Sequence, residues 1–112
     1  MNSKTKDIKE ILPLIERRIL EIFGNKVMKI LLFGSYARED FNEESDIDII
    51  VIVDDIEIDR YKKLRVKIIS EFSLNYDLLL SIRVLRNEDF SKYKDSSPFL
   101  KNVVKEGISF YG

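Results

Sequence analysis

The stretch "DIDIIVIV", residues 46–53, limits what this chain can fold into more than any other segment. Apart from Asp46 and Asp48 it holds only Ile and Val. An unbroken run of β-branched residues describes a strand buried on both faces, as in sheets that helices cover from either side. A carboxylate in such a strand is costly unless it meets a counter-charge or a metal. Something positive is therefore expected near the head of this strand.

The flanking segments supply the covering layers. Ile8, Ile11, Leu12, Ile15, Ile19, Ile22 and Phe23 recur at helical spacing and predict an amphipathic helix. Pro13 interrupts that pattern, so a kink or a late start is expected there, and Gly24-Asn25 is a stop signal. "VMKILLF" (27–33) reads as a buried strand ended by Gly34-Ser35, residues 35–39 as a short helix, and 40–45 as a polar loop. Ile58, Tyr61, Leu64, Ile68 and Phe72 mark a second amphipathic helix, broken at Asn75, and "YDLLLSIRVL" (76–85) reads as a third strand. Asn87 is expected to cap a short helix through Tyr93. Ser97-Pro98 opens a last helix, apolar at Phe99, Leu100, Val103 and Val104, which Gly107 ends. Strands alternating with helices predict an α/β (α+β) fold, a small mixed sheet flanked by helices. With no repeat, linker or low-complexity tract, the 112 residues are expected to form a single domain over 1–112.

Composition removes several chemistries. The chain has no Cys and no His, which excludes disulfides, Cys/His zinc sites, thiol nucleophiles and an imidazole base. Catalysis is left to carboxylates, hydroxyls, Lys, Arg or a hard metal held by oxygen. The 19 basic residues against 20 acidic ones argue against a dedicated nucleic-acid binder, whose affinity would lean on a basic surface. Arg60, Lys63 and Lys67 form a basic stripe at helical spacing that reads as a solvated face. The N-terminus lacks the apolar core of a signal peptide, and the run at 47–53 is too short to span a bilayer. A soluble, cytoplasmic protein without membrane contacts is the expectation.

Asp46 and Asp48, two residues apart on a strand, point to one face about 6.5 Å apart along the chain. Converging carboxylates repel, and a divalent cation relieves that repulsion. Mg²⁺ suits the task, being hard and usually held by one or two carboxylates plus substrate phosphates. The pair alone leaves open a plainer alternative, in which it sits in water at the strand end against an arginine. Gly34-Ser35 follows the first strand, where backbone N–H groups and a hydroxyl could meet a phosphate. No GxxxxGK[ST] loop occurs. Asp77, at the expected start of the third strand, could face the same site if the second and third strands are neighbours. Three acids beside a phosphate-binding turn are the arrangement for two-metal phosphoryl or nucleotidyl transfer.

"GSYAREDFNEESDID" matches Gly-Ser, ten residues, Asp-x-Asp. That pattern resembles the signature of the DNA polymerase beta-like nucleotidyltransferase superfamily, and the size and order of elements resemble its minimal nucleotidyltransferases. The resemblance covers nearly the whole chain, through the closing "FLKNVVKEGISFY". It implies that Asp46 and Asp48 hold two catalytic Mg²⁺ ions, with Asp77 as third ligand and base. It further implies that Gly34 and Ser35 grip a triphosphate with help from Arg38, and that ATP is the donor and pyrophosphate the by-product. One residue departs: family members often read Gly-Ser-x-Ala-Arg-Gly, whereas Glu39 follows Arg38 here. Glu takes positive φ less cheaply than Gly, so this turn is expected to differ. With Asp40, Glu43 and Glu44, Glu39 also makes the loop acidic.

The catalytic core is expected to consume the chain, leaving acceptor recognition to a second protein or a second copy. Chains of this size resemble the antitoxin halves of two-gene HEPN/MNT toxin–antitoxin pairs. The resemblance then implies a HEPN-type ribonuclease toxin as partner, silenced by transfer of AMP to a tyrosine. Two alternatives stand beside it: a non-catalytic module that masks its partner by contact, and transfer to a small molecule such as an aminoglycoside.

Overall fold

The computed structural model describes residues 7–42 and 44–112, so Glu43 of the acidic loop lies outside the described residues. In chain order the elements are α1 (Ile8–Phe23), β1 (Val27–Phe33), α2 (Ser35–Arg38), β2 (Ile47–Val53), α3 (Ile58–Tyr76), β3 (Leu80–Arg86), α4 (Asn87–Tyr93), α5 (Pro98–Glu106) and β4 (Ile108–Tyr111). The strands form one sheet in the order β3-β2-β1-β4. β1 runs antiparallel to both β2 and β4, while β2 and β3 are parallel, so the sheet is mixed.

The Ile/Val run lies at the centre of two apolar layers. Ile49, Val51 and Val53 turn to one side and Ile50 and Ile52 to the other, each no more than 2% exposed. The first side meets the buried stripe of α1 (Ile11, Ile15, Ile19, Phe23) and Tyr61, Ile68 and Phe72 of α3. The second side is smaller: Ile50 and Ile52 join Leu31 and Val103, with Phe33, Leu85, Phe90 and Phe99 packed against them. Full burial of such a side chain stabilises by about 1.5–3 kcal/mol, so β2 anchors both layers at once.

Several boundaries depart from expectation for local reasons. α1 starts at Ile8, ahead of Pro13, because the Asp7 carboxylate accepts from Lys9 N at 2.9 Å and caps the first turn. Pro13 sits inside the helix at an exposed position, where the carbonyl it leaves without a donor can be hydrated. α3 does not stop at Asn75 but continues to Tyr76, and Asp77 closes it in the left-handed conformation (φ 55°, ψ 42°). β3 therefore begins at Leu80 rather than at 76. Asn87 is the first residue of α4 rather than its cap. Ser97 does cap α5, accepting from Leu100 N at 3.3 Å, with Pro98 in the first turn. β4, which the sequence reading did not foresee, adds "ISFY" to the free edge of β1.

Tyr61 shows how a polar group is carried into the larger layer. Its ring is fully buried, edge-on to Phe23 at 5.2 Å, and its hydroxyl donates to Asp55 Oδ2 at 2.6 Å. That bond, chiefly, holds the Asp55 carboxyl below the ordinary carboxylate range. A lowered folded-state value adds stability above the unfolded value, about 3.9, which is lost as pH falls through the folded one. The stability gap between wild type and Tyr61→Phe, measured by urea unfolding, should therefore be widest near neutral pH and narrow in acid.

Candidate active site

The site is built where β1 ends and β2 begins. In their antiparallel register Phe33 lies opposite Asp48, so the turn that follows Phe33 falls beside the Asp48 carboxylate. A Cβ placed on Gly34 would collide with Asp48 Oδ2, and Gly34 has φ 74°. Only glycine meets both demands. The Gly-Ser turn and the Asp-x-Asp pair are thus parts of one surface, in direct contact. Ser35 opens α2, and Arg38 at its end reaches two carboxylates, Asp40 at 3.1 Å and Glu106 of α5 at 3.6 Å.

Glu39 caps α2 in the left-handed conformation (φ 64°, ψ 28°), its N–H bonded back to the Ser35 carbonyl. The glutamate thus adopts a backbone that glycine takes more cheaply. Such a conformation costs a non-glycine residue about 1–2 kcal/mol.

Asp46 is exposed and Asp48 half-buried, facing the α5 side of the sheet with Ile50 and Ile52. The Asp48 carboxyl is raised above its ordinary value, first by burial and then by the neighbouring Asp46 charge. The Ser81 hydroxyl, Arg83 and Arg38 oppose that rise, in this order. Neither arginine forms an ion pair with Asp48 among the described residues, so the expected positive partner at the head of β2 acts there only at a distance.

Asp77 does not join the pair. As the cap of α3 it is exposed and three residues short of β3, and among the described residues no group of three acids could hold a metal. The parallel register instead sets Ser81 beside Asp48 and Arg83 beside Ile50. The signal for this lay in the strand's alternation. Leu78, Leu80, Ile82 and Val84 are buried, which turns Ser81 and Arg83 to the opposite face, where Asp48 lies.

Do these residues suit Mg²⁺? Two hard oxygen donors are held close enough for one charge to perturb the other, and part of that pair is desolvated. Mg²⁺ is commonly held by one or two carboxylates and completed by substrate phosphates. The donor set fits an ion completed in that way.

The family described as "Polymerase beta, Nucleotidyltransferase" matches residues 17–112. This chain belongs to that family. The nucleotidyltransferase is 37% identical over 109 residues to a Methanocaldococcus jannaschii protein provisionally named a protein adenylyltransferase, covering 97% of this chain and 99% of the relative. A second provisionally named adenylyltransferase of that organism is 40% identical over 75 residues, covering 67% of this chain and 76% of the relative. In fold it is similar to a toxin–antitoxin complex solved with AMP-PNP, with TM-score 0.58 and 22% identity over 88% of this chain and 72% of that one. It is also similar to a mutant MntA–HpeT toxin–antitoxin structure, with TM-score 0.56 and 21% identity over 100% and 74%.

Two substitutions in the nucleotidyltransferase test the turn. Gly34→Ala should destabilise by at least about 1 kcal/mol through its backbone alone, before any displacement of Asp48. Glu39→Gly should stabilise by up to about 1 kcal/mol, the relief of the left-handed backbone less glycine's greater entropy loss. Urea midpoints of the two variants should move in opposite directions.

Proposed function

We propose that this nucleotidyltransferase moves AMP from ATP onto a hydroxyl of a partner protein, a tyrosine of a HEPN-type toxin for which it is the antitoxin. The observation that carries the reading is the contact between Asp48 and Gly34, which joins a carboxylate pair suited to a hard cation to the Gly-Ser turn. The names of the curated relatives support a protein as acceptor, and the toxin–antitoxin complexes of similar fold support the kind of partner.

Asp46 and Asp48 would hold Mg²⁺, and the Gly34-Ser35 turn would receive the phosphates through its backbone N–H groups and the Ser35 hydroxyl. When bound, Mg²⁺ offsets charge on the entering and leaving oxygens. The acceptor oxygen attacks the α-phosphorus, its proton passes to a carboxylate oxygen of the pair, and the α–β bridge breaks to release pyrophosphate. The small apolar layer under α5 keeps water from the inner side of Asp48, which strengthens its interaction with any cation there. Arg38, held by Asp40 and Glu106, fixes α2 against α5.

Incubation with Mg²⁺ and the native partner, isolated by pull-down, should label that partner from α-labelled ATP and not from γ-labelled ATP. The Asp46→Asn/Asp48→Asn double variant should bind the partner but leave it unlabelled and active. Equal neutralisation by the double variant would replace transfer with masking by contact. Labelling from the γ position would replace it with phosphoryl transfer.

A further inference from the structure

The face of the sheet that carries Asp48 holds an arginine that no described residue engages by hydrogen bond or ion pair. Arg17, Arg18, Arg38, Arg60, Arg65 and Arg86 each contact a carboxylate or a carbonyl. Among the described residues Arg83 has no such partner, although it is exposed on a strand next to the site. It is not loose. Its guanidinium carbon lies 4.6 Å from the centre of the Phe99 ring on α5. Phe99 in turn stands edge-on to Phe33, centroids 5.8 Å apart at 77°. Phe33 is the β1 residue opposite Asp48. The row across the sheet therefore reads Phe33, Asp48, Ser81, with Phe99 bridging above it from Phe33 to Arg83.

A guanidinium resting on an aromatic ring is restrained by the cation–π attraction while its N–H edge stays open to a ligand. That edge suits two oxygens of one phosphate, in the bidentate geometry that lysine cannot offer. Arg38, the cation nearest the Gly-Ser turn in sequence, is already engaged by two carboxylates, which compete with any phosphate for its donors.

We propose that Arg83, seated on Phe99, is the cation that grips the polyphosphate of the nucleotide. The assignment rests on the nucleotidyl-transfer reading above and adds to it a binding residue that the Gly-Ser and Asp-x-Asp motifs do not contain. Phe99 is its positioning residue. α5 thereby has a task at the site besides covering the smaller apolar layer.

The test is direct binding of ATP to the full chain in Mg²⁺ by calorimetry, with inorganic tripolyphosphate as competitor. Arg83→Gln should weaken ATP about ten- to a hundredfold, the range for losing hydrogen bonds to a charged group. The inhibition constant of tripolyphosphate should rise in parallel. Phe99→Leu, which keeps the arginine and removes its seat, should give a smaller loss. Arg17→Gln, on α1 across the sheet, should match wild type. Unchanged ATP affinity in Arg83→Gln overturns the proposal and leaves the nucleotidyltransferase reading standing. Weakened ATP with unchanged tripolyphosphate also overturns it, since the contact would then be to base or sugar. If wild type itself binds no ATP in Mg²⁺, the transfer reading falls and takes this assignment with it. Should Arg83→Gln fail to fold, Arg83→Lys decides: loss of affinity supports the guanidinium fork, and wild-type affinity overturns it.

Discussion

The Asp48 carboxylate occupies the space where residue 34 would carry its Cβ, and much of the site's architecture follows from that contact. It requires glycine at 34, a positive φ there, and a β1–β2 register that brings Phe33 opposite Asp48. A slip of one residue in that pairing would reverse every side chain of β2, sending the carboxylate into the larger apolar layer. The Ile/Val run guards against such a slip because both of its faces are buried in distinct surroundings. Packing, rather than any bond at the site, thus fixes where the carboxylate points.

The two layers divide the labour. The α1/α3 side contains most of the buried residues and provides a stiff platform. The α5 side is small, and the row of Phe33, Asp48 and Ser81 lies at its margin, where aromatic rings rather than aliphatic chains meet the polar groups. Functional side chains placed on strands and backed by a packed layer hold their geometry better than side chains on loops. Asp48, Ser81 and Arg83 are all strand residues.

Much of this was legible in the sequence, and the failures are instructive. Amphipathic periodicity placed α1 and α3, and the Ile/Val run placed β2, because burial is written directly into residue type. The Gly-Ser and Asp-x-Asp motifs marked one half of the candidate site. The other half was missed because "YDLLL" looks apolar throughout, and nothing local announces that Asp77 closes a helix instead of opening a strand. Asp tolerates the left-handed conformation, and the helix used that tolerance. Once the strand starts at Leu80, strict alternation aims Ser81 and Arg83 at the site. β4 escaped notice for a different reason. Four residues give too short a pattern to read, and its pairing with β1 depends on a neighbour distant in sequence.

The placement of Glu39 has a consequence for how the protein acquires its shape. Glu39 and Gly34, at opposite ends of α2, are both held at positive φ within a segment that joins two adjacent antiparallel strands. Closing that short connection requires little chain entropy, whereas β3 reaches β2 only after the whole of α3 has crossed the sheet. The half of the site made from β1, α2 and β2 is therefore the local half, open to early formation during folding. The half made from β3 and α5 waits on a long-range parallel pairing. A nucleus formed from β1 and β2 alone would bring Asp48 to Gly34 while Arg83 and Phe99 were still apart, and the candidate site would be complete only when the crossover docks.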